Sequence, residues 1–188
     1  MLHRLGIKVF AGAGNAAPLT DFIPLFHRWI QQSLLDELLI DVGDYSHVPN
    51  GPGIVLVGLD GNYGVDETGG RRGLLYYLKR PLERSVEAQL EVACRRALNA
   101  CRLLEQDEAA GGIRFATGEL QFIANDRLEA PNTDETFAAL EPLLRSLATR
   151  LFPGADVAFE RETDPRERFA VTLKSPVPAP VEELLSRI

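Results

Sequence analysis

Apolar positions along the chain change period several times, and each change marks an element. Residues 6–11 (GIKVFA) are a short β-branched run closed by Gly12 and Gly14, which predicts a strand. Phe22, Phe26, Trp29 and Ile30 then recur at helical spacing. Thr20 is the expected N-cap, Asp21 lies in the first turn, Pro24 is tolerated only near that end, and the helix should fade by Ser33. From Leu38 the pattern alternates: Leu38, Ile40 and Val42 would share one strand face, and Leu39, Asp41 and Gly43 the other. HVPNGPG is a dense turn signal. GIVLVG (53–58) and GLLYYL (73–78) read as strands buried on both faces, the second ending at Lys79 and Arg80. The connection 59–72 is longer than most hairpin loops and reads as a glycine-rich loop.

Pro81 stops the fourth strand, and Ser85 or the LERS turn opens the longest helix, to about Gln106. Its stripe is Val86, Leu90, Cys94, Leu98 and Cys101, with Arg95, Arg96 and Arg102 outside the centre. Residues 113–125 are strand-like, with Gly118 as a bend or bulge. A helix follows to Phe152, broken or kinked at Pro142. Residues 156–162 and 168–174 read as a hairpin across TDPRE. PVPAP is extended, and VEELLSRI makes at most two helical turns.

The expected order is therefore β-α-β-β-β-α-β-α-β-β, with strands in runs and few helices. That pattern argues for an α+β fold with a mostly antiparallel or mixed sheet. Residues 1–175 form one domain, and 176–188 a Pro-rich tail with a short helix. Two words rhyme: Ala17-Pro18-Leu19-Thr20-Asp21 and Ala130-Pro131-Asn132-Thr133-Asp134 agree at four of five positions, each after a strand and before a helix containing Pro-Leu. The rhyme suggests an internal duplication of a βαββ unit, with halves 1–80 and 111–175 joined by the 85–106 helix. Chance recurrence of short loop words is the alternative.

Composition narrows the class. With 45% hydrophobic and 25% charged residues in 188, the chain is globular and long enough for one sizeable core. A net charge of −7 makes nucleic acid a poor partner. No apolar run approaches the roughly 20 residues of a membrane span, and the N-terminus lacks the apolar region of a signal peptide, so a cytoplasmic location is expected. Cys94 and Cys101, on one helix roughly 10 Å apart, cannot form a disulfide with each other and read as core thiols.

The words FHRWIQ, LLIDVGDYSHVPNGPGIVLVG and GLLYYLKR are together similar to those of a family of uncharacterised bacterial proteins, over roughly the first 80 residues. The resemblance implies a bacterial cytosolic origin and brings no activity, cofactor or catalytic residue.

Two constellations carry candidate chemistry. Asp41, Asp44 and His47 are spaced D-x-x-D-x-x-H, a set able to bind a divalent metal or do acid/base work. An odd separation puts Asp41 and Asp44 on opposite strand faces, so convergence needs a bend at Gly43. Otherwise Asp44 caps a turn and His47 sits in the following loop. In the 59–72 stretch, the amides of Gly69 and Gly70 beside Arg71 and Arg72 could cradle an anion. It matches neither a P-loop nor a dinucleotide fingerprint, and the alternative is a solvated hairpin loop. His27 reads as an edge-of-core histidine and Trp29 as a core anchor. With no recognised catalytic motif, the expected function is association without catalysis, as a homodimer or with a protein partner, and without a cofactor or bound metal. The alternative is a small-molecule site for an anion or phosphate, or an enzyme without a known motif, at 41–47 and 59–72.

Overall fold

A computed structural model describes residues 2, 4–14, 17–81 and 85–188. Eight strands form one sheet: β1 (Leu5–Ala11), β2 (Leu39–Tyr45), β3 (Gly53–Gly58), β4 (Gly61–Asp66), β5 (Gly73–Leu78), β6 (Phe115–Ala124), β7 (Ala158–Arg161) and β8 (Ala170–Lys174). Their spatial order is β2-β3-β4-β5-β1-β6-β8-β7, with every pairing antiparallel. Four helices accompany it: α1 (Phe22–Gln32), α2 (Val86–Gln106), α3 (Asp134–Leu151) and α4 (Val181–Ser186). The fold is α+β, with elements in the order read from the sequence and one further strand, β4, within it. Among the described residues no helix is long and apolar enough to cross a membrane.

The helices share one face of the sheet. Leu5, Ile7 and Val9 of β1, Phe22, Phe26 and Trp29 of α1, Leu90, Cys94, Leu98 and Cys101 of α2, and Leu144 and Leu147 of α3 belong to one buried cluster. Val181 and Leu184 of α4 join it, so the C-terminal segment packs on the domain and is not a free tail. The opposite face carries only a small cluster of Leu75, Ile123 and Ala170, with Tyr77 against it. Strand alternation makes this division: the odd positions of β1 face the helices, while Gly6, Lys8 and Phe10 face the open side.

Local signals account for most boundaries. Ser85 caps α2 by accepting the Ala88 N–H, and Thr133 caps α3 through the Thr136 N–H. The expected LERS start falls at Leu82, Glu83 and Arg84, which lie outside the described residues, as do Asn15 and Ala16 of the GAGNAAP linker. α1 ends at Ser33 in the left-handed conformation. Its start differs from expectation: Thr20 is not the N-cap but sits in a 3₁₀ turn, Leu19–Asp21, that opens after Pro18. α3 runs through Pro142 unbroken.

Two departures matter for function. First, the 59–72 connection contains strand β4 and a 3₁₀ turn, Thr68–Gly70. GNYGVD has poor strand propensity, but β3 and β5 offer it hydrogen bonds on both sides. Second, β2 carries a bulge between Leu39 and Asp41. The bulge puts Leu39 and Val42 against the core and leaves Leu38 and Ile40 exposed at 65% and 53%, so Leu38, Ile40 and Val42 do not share a face.

The expected bend at Gly118 falls in an irregular stretch, where Val9 pairs Leu120 but Ala11 pairs Phe115. β1 and β6 lie side by side at the middle of the sheet. Outward from that seam run β5 and β4 on one side and β8 and β7 on the other, with β3 and β2 added beyond β4. In this order β1, β5 and β4 stand opposite β6, β8 and β7 across the seam, with β3 and β2 outside that correspondence.

Candidate functional site

A polar network forms where the β3–β4 turn meets α2. Glu37, from the α1–β2 connection, has a side chain only 1% exposed. Its Oε2 accepts the Asp60 and Gly61 N–H groups at 3.0 and 3.2 Å, and its Oε1 accepts Arg96 Nη1 at 3.2 Å. Arg96 also donates to the Tyr76 hydroxyl at 2.6 Å and to Asp60 Oδ2 at 3.1 Å, and Arg80 donates to Asp60 Oδ1 at 2.9 Å. Glycines make the approach possible. A Cβ at Gly58 would lie 2.5 Å from Glu37 Oε2, and one at Gly61 2.4 Å from the Tyr76 hydroxyl. Burial works against the Asp60 charge, but the hydrogen bonds from Arg80 and Arg96 outweigh it and hold the carboxyl below its usual range. Every charge in this network has a partner, as buried charges require.

Next to it opens a cleft of about 1110 Å³. One wall is α2, where Arg95, Asn99 and Arg102 fall at i, i+4 and i+7 on one face. Glu182, Leu185 and Ser186 of α4 form the other wall, and Tyr63 of β4 contributes to the floor. Tyr63 is fully buried, its ring 4.6 Å from that of Tyr76, and its hydroxyl lies near the Glu37 carboxylate without a hydrogen bond of normal geometry. Burial and the neighbouring Glu37 carboxylate push its pKa far up, so it stays a neutral donor. Arg102 donates to Asn99 Oδ1 at 2.7 Å, while its Nε is buried without a partner. Arg95 donates to the main-chain oxygen of Ile188. Neither Arg95 nor Arg102 makes an ion pair among the described residues. The cleft therefore brings together the Arg95 and Arg102 guanidinium groups, the carboxyl-bearing Asp36, Asp60 and Glu182, and a buried hydroxyl. The sequence placed Arg95 and Arg102 outside the centre of the α2 stripe and gave them no role; their seven-residue spacing around Asn99 was the available signal.

The residues singled out from the sequence are distributed differently. Asp41 and Asp44 occupy opposite faces of β2, paired with Val57 and Ile54. The bulge precedes Asp41, so nothing bends the strand between them. Asp41 Oδ1 accepts the Val42 N–H at 2.8 Å, and Asp44 Oδ1 accepts the Ser46 N–H at 2.9 Å and its hydroxyl at 2.6 Å. The Ser46 hydrogen bonds lower the Asp44 pKa. His47 is exposed in the turn that follows, as is His27 on α1. Among the described residues no three His, Cys, Asp or Glu side chains are grouped to hold a metal ion.

Gly69 and Gly70 both take positive φ, but Gly70 gives its N–H to the Glu67 carbonyl at 2.9 Å. Arg71 forms a two-pronged pair with Glu119 at 2.8 and 2.7 Å and lies 3.7 Å over the Phe10 ring. Arg72 turns away to Glu67 at 2.9 Å and to the Ala17 carbonyl at 2.6 Å. Adjacent extended residues point to opposite sides, so Arg71 and Arg72 do not join in one anion fork. The 59–72 segment instead lines two separate cavities: Asp60 and Tyr63 border the cleft beside α2, while Asp66, Gly69 and Arg71 border another on the open face. Comparison of the chain with protein-family models, curated proteins and solved structures returned no match in any of the three.

Proposed function

We propose that this protein binds a small anionic ligand, a carboxylate or a phosphate, in the cleft between α2, α4 and the β3–β4 turn. One observation carries the reading: Arg102 Nε is buried on the cleft without a partner, with the buried Tyr63 hydroxyl on the same cleft. A buried donor without an acceptor costs about 1–3 kcal/mol, and an anion seated there would remove that cost. Arg95 and Arg102 supply the charge, and the guanidinium fork suits carboxylate and phosphate oxygens. The test is a thermal-shift series with inorganic phosphate, nucleotides and di- and tricarboxylates. A ligand at 100 times its Kd raises stability by about 2.7 kcal/mol. Arg102→Gln and Tyr63→Phe should each abolish or reduce the shift. No shift with any of these anions would end the reading.

The exposed flank of β2 supports a second reading, association of two copies. Leu38, Ile40 and Leu59 are 65%, 53% and 44% exposed, and the Leu59 N–H bonds the Leu38 carbonyl at 2.8 Å, so the patch is continuous. β2 is a free edge of seven residues, whereas the other edge, β7, has four and carries Glu160 and Arg161. Light scattering decides it: a mass equal to the 20.7 kDa protomer at micromolar concentration removes this reading.

A further inference from the structure

The open face of the sheet carries a second cleft, of about 540 Å³, that shares no lining residue with the first. Lys8 forms its floor and is 3% exposed. The ammonium has three N–H donors. Asp66 Oδ1 pairs with its charge at 2.6 Å, the Arg71 carbonyl accepts an N–H at 2.9 Å, and the Phe10 ring centroid lies 5.3 Å away. Arg168 donates to the Tyr77 hydroxyl at 2.8 Å and forms no ion pair among the described residues. Glu162 and Glu167, both exposed, line the same cleft from the turn between β7 and β8. Leu75 and Ile123 supply an apolar floor beside Lys8.

We infer that this cleft binds an apolar amino acid as the free zwitterion. The Arg168 guanidinium, with the Lys8 ammonium beneath it, takes the carboxylate, Glu162 and Glu167 take the ammonium, and Leu75 and Ile123 take the side chain. Both signs of charge on one cleft select this class. A simple anion would face the two glutamates, and a simple cation would face Lys8 and Arg168, like charges that disfavour either. Because the two clefts share no residue, the inference stands independently of the anion site beside α2.

Calorimetric titration of the whole chain with leucine, isoleucine, valine, methionine and phenylalanine tests it, alongside 4-methylpentanoate and isopentylamine, which are leucine without its amino and its carboxyl group. The expected result is saturable binding of at least one amino acid. For leucine, each truncated analogue should bind at least tenfold more weakly. Arg168→Gln and Glu162→Gln, at partly or fully exposed positions, should each weaken binding at least tenfold with the melting temperature preserved, whereas Arg102→Gln should leave it unchanged. Absence of saturable binding by all five amino acids overturns the inference. So does 4-methylpentanoate binding as tightly as leucine, or full affinity in both Arg168→Gln and Glu162→Gln.

Discussion

Lys8 and Asp66 meet at 2.6 Å although a whole strand separates them. Lys8 belongs to β1 and Asp66 to β4, with β5 between. The Lys8 stem crosses β5 at Gly73, where a Cβ would lie 2.8 Å from Lys8 Cε and 2.7 Å from the Val9 carbonyl. Both side chains are only 3–4% exposed, so the pair is buried on a face that no helix covers.

Removing one partner should therefore be costly. Lys8→Met leaves a buried carboxylate unpaired and should lower unfolding stability by about 3–5 kcal/mol in urea titrations. Lys8→Met with Asp66→Leu should recover most of that loss. Equal stability of the single and double variants would mean that the pair is not desolvated as described. Gly73→Ala should cost about 1–3 kcal/mol through overpacking.

Glu37 and Gly58 form a matched pair. Glu37→Ala strips Arg96 of one carboxylate and two amides of their acceptor, and about 3 kcal/mol or more should be lost. Gly58→Ala places a methyl against the same carboxylate and should also destabilise. Because both changes disturb one interaction, the double variant should lose less than the sum of the two, measurable as a coupling in a double-mutant cycle.

Leu98, at 0% exposure in the middle of α2, should cost about 2–5 kcal/mol on replacement by Ala. On the same helix, burial pushes the Cys94 thiol up to about 12 and raises Cys101 well above its ordinary value. Neither is a thiolate at pH 8, so native protein should react with iodoacetamide only as fast as it unfolds. Fast labelling of either cysteine would place that helix face in solvent.

Acid should weaken the fold through Glu119 and Asp60. The Arg71 hydrogen bonds lower Glu119. For Asp60, burial opposes the charge, and the bonds from Arg80 and Arg96 prevail. Folding thus favours both charged forms. Their contribution is complete above the ordinary values of 3.8 for Asp and 4.5 for Glu, and is lost as pH falls through the lower folded-state values. The melting temperature should hold from neutral pH to about 5 and decline below 4. Glu119→Gln should show a shallower decline. An identical pH profile for the variant would remove Glu119 from the account.

β4 shows why part of the site was not legible beforehand. Gly61, Asn62, Gly64 and Asp66 are poor strand formers, and only Tyr63 and Val65 suggest a strand. The segment is a strand because its neighbours leave a gap in the sheet, and its Gly61 clears the space beneath the Tyr76 hydroxyl. Missing β4 hid the fact that 59–72 crosses the sheet and presents alternate residues to two cavities. The chain order was nonetheless readable, since α2, β3 and β5 rest on strong local periodicity.

The sequence by itself determined the fold class, the α2 stripe, the burial of both cysteines and most element limits. These depend on neighbours within a turn of helix or a few strand residues, where periodicity and capping act. The tertiary structure alone decided which charges meet. Arg71 finds Glu119 48 positions away, and Arg96 finds Glu37 across 59. Such pairings follow from strand order and register, which no local pattern encodes. They leave Arg71 and Arg72 committed to separate partners, and Arg102 with a buried donor unspent.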